Sequence, residues 1–298
     1  MARLDRFLDQ TEPLLQTINT LGLAPRETDW SASAFRWSRR QTPLGKVGEL
    51  VAISRPATLT LGDLKNIDEQ KRLVEANTRQ FVHGHPANNV LLTGARGTGK
   101  SSLVKACLPT FCDKGLRLIE VDKDLLTDLP DIVDRVQGRS ERFIIYCDDL
   151  SFDHGDGGYK ALKTALDGSL SGRADNVLIY ATSNRRHLMP EMVSENLQAT
   201  YQPDGEIHPG ETSEEKISLS ERFGLWISFY PFRQDDYLSV VEHWLRHYGA
   251  TDASVVSARA DALRWALERG SRSGRVAWQF ARDWAGRQAQ AGLLSGGV

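Results

Sequence analysis

Residues 94–101 read Gly94-Ala95-Arg96-Gly97-Thr98-Gly99-Lys100-Ser101, the spacing G-x-x-x-x-G-K-S. This pattern constrains the fold strongly, because such a loop must be entered by a buried strand and left by a helix. Its glycines let the backbone curl until successive N–H groups face one point, the geometry that cradles phosphate oxygens. Lys100 supplies a point charge for β- and γ-phosphates, and the Ser101 hydroxyl is placed to ligate Mg2+. The N-terminus of the following helix adds partial positive charge. The flanks agree. Val90-Leu91-Leu92-Thr93 reads as a short buried strand and Ser101 to Leu108 as a helix. The expectation is a nucleoside triphosphate held by Gly94, Ala95, Arg96, Gly97, Thr98, Gly99, Lys100, Ser101 and Ser102.

A loop of this kind also needs an acidic element at the end of a neighbouring buried strand. Arg142-Phe143-Ile144-Ile145-Tyr146-Cys147-Asp148-Asp149 provides one. Adjacent carboxylates at a strand end are costly unless a cation neutralises them. Asp148 is placed to hold the metal, and Asp149 to orient or deprotonate the attacking water. The bland alternative is a turn whose acids cap the next helix.

Around these motifs the chain alternates strands with helices. Leu116 to Val121, Phe143 to Cys147, Asn176 to Thr182 and Leu225 to Tyr230 read as strands beside Val90 to Thr93. Helices are expected over Leu61 to Val82 after a turn, over Leu125 to Val136 with an interruption at Pro130, and over Tyr159 to Leu170. This pattern predicts an α/β P-loop NTPase with a five-stranded parallel sheet between helices. From Pro231 the pattern becomes helical, with apolar stripes at Tyr237, Leu238, Val241 and Leu245, at Ala262, Trp265 and Ala266, and at Val276, Phe280 and Trp284. The expected division is an N-terminal extension over 1–60, a nucleotide-binding domain over 61–230 and a small helical lid over 231–298.

Within the extension, Leu4 to Leu21 has mostly helical spacing broken by Pro13. Trp30 to Arg40 interleaves aromatics with arginines. That segment reads either as a surface that stacks nucleic-acid bases or as an anchor that docks the extension, its arginines solvated.

Composition narrows the class. A net charge of −2 gives no bulk attraction for nucleic acid or anionic membrane. No apolar run is long enough to cross a bilayer, and Met1 to Asp5 lacks the start of a secretory leader. Three cysteines with no C-x-x-C pairing fit reduced thiols, so a cytoplasmic location is expected.

Taken together, Asp148-Asp149, the polar Thr182-Ser183-Asn184 ending the next strand and the helical segment behind resemble an AAA+ ATPase. Over Cys147 to Phe152, Ala181 to Leu188 and Ser218 to Gly224 the chain looks more narrowly like a bacterial AAA+ ATP-binding family catalogued only as a domain of unknown function. The resemblance covers about residues 60–290. It implies ATP and Mg2+ as ligands, a P-loop strand at the sheet centre, and the Asn184 strand between it and the Asp148 strand. Asn184 matches the sensor 1 position, which helps place the water. Ser218 to Phe223 resembles the segment carrying the arginine finger, making Arg222 the candidate. Gly270 to Arg275 resembles sensor 2, with Arg275 reaching the phosphates from the lid. A trans finger implies a homo-oligomer, a hexamer by resemblance. Arg222 has a bland alternative as the cap of a helix begun by Thr212 and Glu215, and Arg275 as a solvated first-turn residue.

The chain departs from the pattern in places. Many relatives carry Asp-Glu where Asp148-Asp149 stands, and the shorter carboxylate reaches less far. No aromatic pore loop follows the second strand, where Asp122 to Leu126 sits, which argues against a protein-threading unfoldase. The residues between Asn184 and Arg222 form an insertion, either a partner-sensing loop over 185–215 or a surface excursion. No N-K-x-D motif follows the P-loop, which disfavours a GTPase. The leading expectation is an ATPase that remodels or switches an unidentified protein partner. The alternatives are a nucleotide-gated binding module with negligible hydrolysis and a DNA-associated, helicase-loader-like ATPase.

Overall fold

The computed structural model describes residues 26–152, 156–167, 174–185, 188 and 219–295. The Leu4 to Leu21 spacing, the Thr212–Glu215 helix start, Arg186 and nearly all of the 185–215 insertion lie outside them.

Among the described residues seven strands form one sheet: β1 (Ala34–Thr42), β2 (Gly45–Ala52), β3 (Val90–Gly94), β4 (Leu116–Val121), β5 (Arg142–Cys147), β6 (Val177–Ser183) and β7 (Leu225–Phe229). Their order is β2-β1-β4-β5-β6-β3-β7. Every pairing is parallel except the β1–β2 hairpin. The α/β class and the β5-β6-β3 order match the expectation; the count of five strands and the central place for β3, which lies next to the edge strand β7, do not.

The two extra strands, β1 and β2, arise from the Trp30 to Arg40 segment and the residues up to Ala52. The alternation of aromatics and arginines in β1 is the two-residue period of a strand with one buried face. Phe35 and Trp37 turn inward and are buried. Arg36 and Arg39 pair with Glu120 at 2.9 Å and Asp128 at 2.5 Å. The Trp37 indole donates to the same Asp128 at 2.8 Å. Such half-exposed ion pairs contribute about 0–1 kcal/mol each. Burial of the two aromatic rings contributes more, roughly 2–3 kcal/mol apiece, and is what chiefly holds the hairpin. Trp37 lies so close over Gly48 that any Cβ there would collide with its ring. The docking alternative is the one this geometry favours.

Helices cover both faces. Phe143, Ile145 and Cys147 face a core shared with α3 (Leu129–Val136) and α4 (Gly157–Asp167). Ile144 and Tyr146 face the opposite core, under α1 (Asp68–Val82) and α2 (Lys100–Phe111). Strands buried on both faces read as continuous apolar runs, which is why β3, β5 and β6 are visible in the sequence. Pro130 does not interrupt a helix. It stands in the first turn of α3, after a 3-10 turn over Lys123–Asp128, where its missing N–H costs nothing.

The C-terminal helices α5 (Gln234–His247), α6 (Asp252–Glu268) and α7 (Gly274–Ser295) bury a separate core around Tyr237, Leu245, Ala262 and Phe280. Among the described residues no helix is long and apolar enough to cross a membrane.

The chain runs from β3 to β4, three positions away, then returns through β5 and β6 to β3's side. Strand order reverses beside β3, and ligands of open α/β sheets bind at such switch points, outside the strands' carboxyl ends.

Candidate active site

The loop between β3 and α2 sits at that crevice. Gly94, Gly97 and Gly99 all have positive φ, at 129°, 75° and 103°. Thr98 Oγ1 donates to the Ala95 carbonyl at 2.8 Å and pins the turn. Among the described residues no side chain caps the start of α2, whose first N–H groups suit an anion. Lys100 is buried, its Nζ donating to the carbonyls of Gly94 and Ala95 at 2.7 Å and to Asn184 Oδ1 at 3.1 Å. Burial lowers the Lys100 pKa, with Asp149 and Asp148 pulling the other way.

Asp148 follows the last residue of β5 and opens to the cavity. Its Oδ1 accepts from Ser101 Oγ at 2.7 Å and from Thr182 Oγ1 at 2.6 Å. Burial opposes ionisation here, but the neighbouring hydroxyls of Thr182, Tyr146 and Ser101 outweigh it and hold the carboxyl below its usual range. Asp149 has left-handed backbone, φ 51°, a conformation that Asp tolerates better than most residues but that still stores strain. Its N–H donates to Thr182 Oγ1 at 2.9 Å, and its Oδ1 accepts from the Asn184 amide. Lys100, Asn184 and Asp149 thus form one hydrogen-bonded chain.

The lid closes the crevice. Gly274 N donates to Gly97 O at 2.9 Å, so the start of α7 is bonded directly to the phosphate-binding loop. Ser273 packs where a Cβ on Gly97 would fall, 2.6 Å away. The result is a cavity of about 680 Å3. Arg96, Gly97, Thr98, Gly99, Lys100, Ser101, Ser102, Asp148, Asp149, Asn184 and Arg275 all line it. Gly94 and Ala95 contribute through the carbonyls that hold Lys100.

Arg222 is elsewhere. Its Nε pairs with Asp167 Oδ1 at 2.7 Å, at the end of α4, and it does not line the cavity. The far end of the cavity was not legible in the sequence. Leu59, Leu64, Ile67, Phe232, Trp244 and Trp278, together with Asp63 and Lys65, line a mostly apolar and aromatic part of the cavity between the segment before α1 and the lid. Aromatic and apolar side chains are the chemistry that receives a flat heterocycle. The Asn66 amide donates to Asp236 O at 2.8 Å and Ser239 Oγ at 2.6 Å, clasping that segment to α5.

The donor set also suits Mg2+. Ser101 and Asp148 are hard oxygen ligands in contact with each other. Among the described residues no group of three metal-binding side chains occurs. Mg2+ is commonly bound through one or two carboxylates with phosphate oxygens and water.

A P-loop at the switch point, paired carboxylates ending β5, a polar end to β6 and a helical lid bonded to the loop define an α/β P-loop fold with a helical lid. The chain belongs to the family described as protein of unknown function, DUF815, whose model matches residues 30–288. That match begins at the hairpin, ahead of the expected residue 60. No curated protein matches the chain. In structure it is similar to a RuvB mutant of Thermotoga maritima, with 13% identity over 75% of this chain and 63% of that one, at a TM-score of 0.49. It is also similar to the AAA domain of FIGL-1 in complex with ADP, with 15% identity over 78% and 74% and a TM-score of 0.49. A third likeness is to the HORMA:CdnC:Trip13 complex of Escherichia coli, with 11% identity over 75% and 90% and a TM-score of 0.48.

Proposed function

We propose that the protein is an ATP hydrolase that uses Mg2+-dependent turnover to switch or remodel a protein partner. One observation carries the reading: Lys100 with Ser101, Asp148 with Asp149, Asn184 and Arg275, far apart in the sequence, surround a single cavity. Lys100 holds the phosphates, Asn184 and Asp149 orient a water and take its proton, and Arg275 reports the phosphates to the lid. A bound Mg2+, held by Ser101 and Asp148, would neutralise charge on the β- and γ-phosphates. Arg222, turned away from its own cavity, is proposed to complete a neighbour's site in a homo-oligomer.

The test is turnover by purified protein. Asp149→Asn is expected to bind ATP normally and lose hydrolysis by at least ~100-fold. Normal hydrolysis by that variant would remove the base assignment. For Arg222, activity per subunit should rise with protein concentration in the wild type and stay low in Arg222→Ala. A flat dependence with a fully active variant overturns the trans finger.

The Gly274–Gly97 bond favours a second reading, nucleotide-gated binding. It ties the lid to the loop without any need for turnover. Partner capture in ATP that is indifferent to Asp149→Asn would support it. The nucleic-acid reading loses the support of the Trp30 to Arg40 segment, since Phe35 and Trp37 are buried and Arg36, Arg39 and Arg40 are ion-paired, and keeps only the Asp148-Asp149 pair.

A further inference from the structure

Tyr146 occupies the strand position two residues before Asp148, on the same face of β5. It is fully buried, and its hydroxyl has no hydrogen-bond partner among the described residues. A buried hydroxyl left unpaired costs about 1–3 kcal/mol, and a phenylalanine would fill the same space without that cost. The hydroxyl lies among polar side chains. It stands beside the side chains of Ser101, Asp148 and Thr182, near enough to affect them but outside bonding geometry. Lys105, one helical turn beyond Ser101 on α2, places Nζ 5.6 Å from the centre of the Tyr146 ring and fixes it from above. Of the two Asp148 oxygens, Oδ1 already accepts from Ser101 and Thr182.

We propose that Tyr146 is a positioning residue for the metal subsite, its hydroxyl donating to the Asp148 carboxylate and fixing that carboxylate's orientation for the divalent cation. The inference rests on the Mg2+-dependent reading above. A phenol is a donor at neutral pH, and it cannot itself bridge two carboxylates as a cation does, so its contribution is orientation rather than charge. Groups that hold a metal-ligating carboxylate typically matter ~10–100-fold in metal affinity.

The experiment uses Mn2+ as the probe, titrated into ATP-loaded full-length protein and followed by electron paramagnetic resonance. Tyr146→Phe is expected to weaken Mn2+ binding ~10-fold. It should leave metal-free ATP binding unchanged and the melting temperature unchanged or slightly higher. A purely structural tyrosine would show that thermal behaviour with unaltered Mn2+ affinity and spectrum, and this result overturns the proposal while leaving the ATPase reading intact. Absence of Mn2+ binding by the wild-type protein overturns both. Tyr146→Leu serves as a packing control: it should lower the melting temperature, and its Mn2+ affinity should match that of Tyr146→Phe. If Tyr146→Leu binds Mn2+ as tightly as wild type, the hydroxyl has no role.

Discussion

The two ends of the cavity are built by different means. The phosphate end is one contiguous loop plus the ends of two neighbouring strands, joined by Arg275 of the lid, and its contacts are charges, carbonyls and N–H groups. The far end joins residues about the start of α1 to residues of α5 and α7, and its contacts are apolar and aromatic. The first is fixed by the sheet's own hydrogen bonding. The second exists only while the lid is docked, through Asn66 on α5 and Gly274 on the loop. The difference predicts separable energetics: electrostatic affinity for a triphosphate at one end, area-driven affinity for a base at the other.

A crossed experiment breaks or sharpens that separation. Lys100→Ala removes a buried cation that charge-assisted bonds would use, a loss of about 3 kcal/mol or more than ~100-fold in ATP affinity. Adenosine binding, measured by calorimetry, should not change. Trp278→Ala removes part of a half-buried ring, about 1–2 kcal/mol, so ATP and ADP should both weaken ~10-fold while inorganic triphosphate binds as before. If both variants weaken both probes equally, the cavity acts as one unit and the two ends are not separable.

The same contrast governs what can be read from the sequence. Gly94 to Ser101 is legible because all its geometry is local: positive φ, a turn and a helix start arise from consecutive residues. Asp148 and Asn184 are legible one step further, because apolar runs mark β5 and β6 and the acids and amide end them. The hairpin is less so. Phe35 and Trp37 alternate with arginines, but only pairing with β2 and β4 makes that segment a strand of the sheet. Trp244 and Trp278 carry no local signal at all, since a tryptophan on an amphipathic helix reads as core until its neighbours are known. Tyr146 is hidden for a related reason: inside Phe143 to Cys147 it reads as one more buried side chain, and its hydroxyl matters only once Ser101 and Asp148 stand beside it. Arg222 is the opposite case. A motif names it, and the fold keeps it on Asp167, away from the site formed by its own chain.

The smallest expected effect lies at the lid's seam. His243 on α5 stands 3.4 Å from Asp63, with Lys65 and His247 also near. Burial lowers the His243 pKa first, Lys65 adds to the effect, and Asp63 opposes it. The folded protein therefore resists protonation that the unfolded chain accepts near pH 6.5. The unfolded state then binds more protons as pH falls through that value, so stability must fall in the same direction and recover above it. Carboxylates held below their usual range, Asp63, Glu120, Asp128 and Asp148 among them, titrate at lower pH and leave this window clear. Between about pH 8 and about pH 5.5 the melting temperature is expected to drop by no more than about 2 °C through this group. His243→Gln should remove that drop, and hydrogen exchange should locate the loosening in α5 rather than in α2. Equal loosening of both helices would mean that the lid and the phosphate end open together, and that the seam does not divide the cavity energetically.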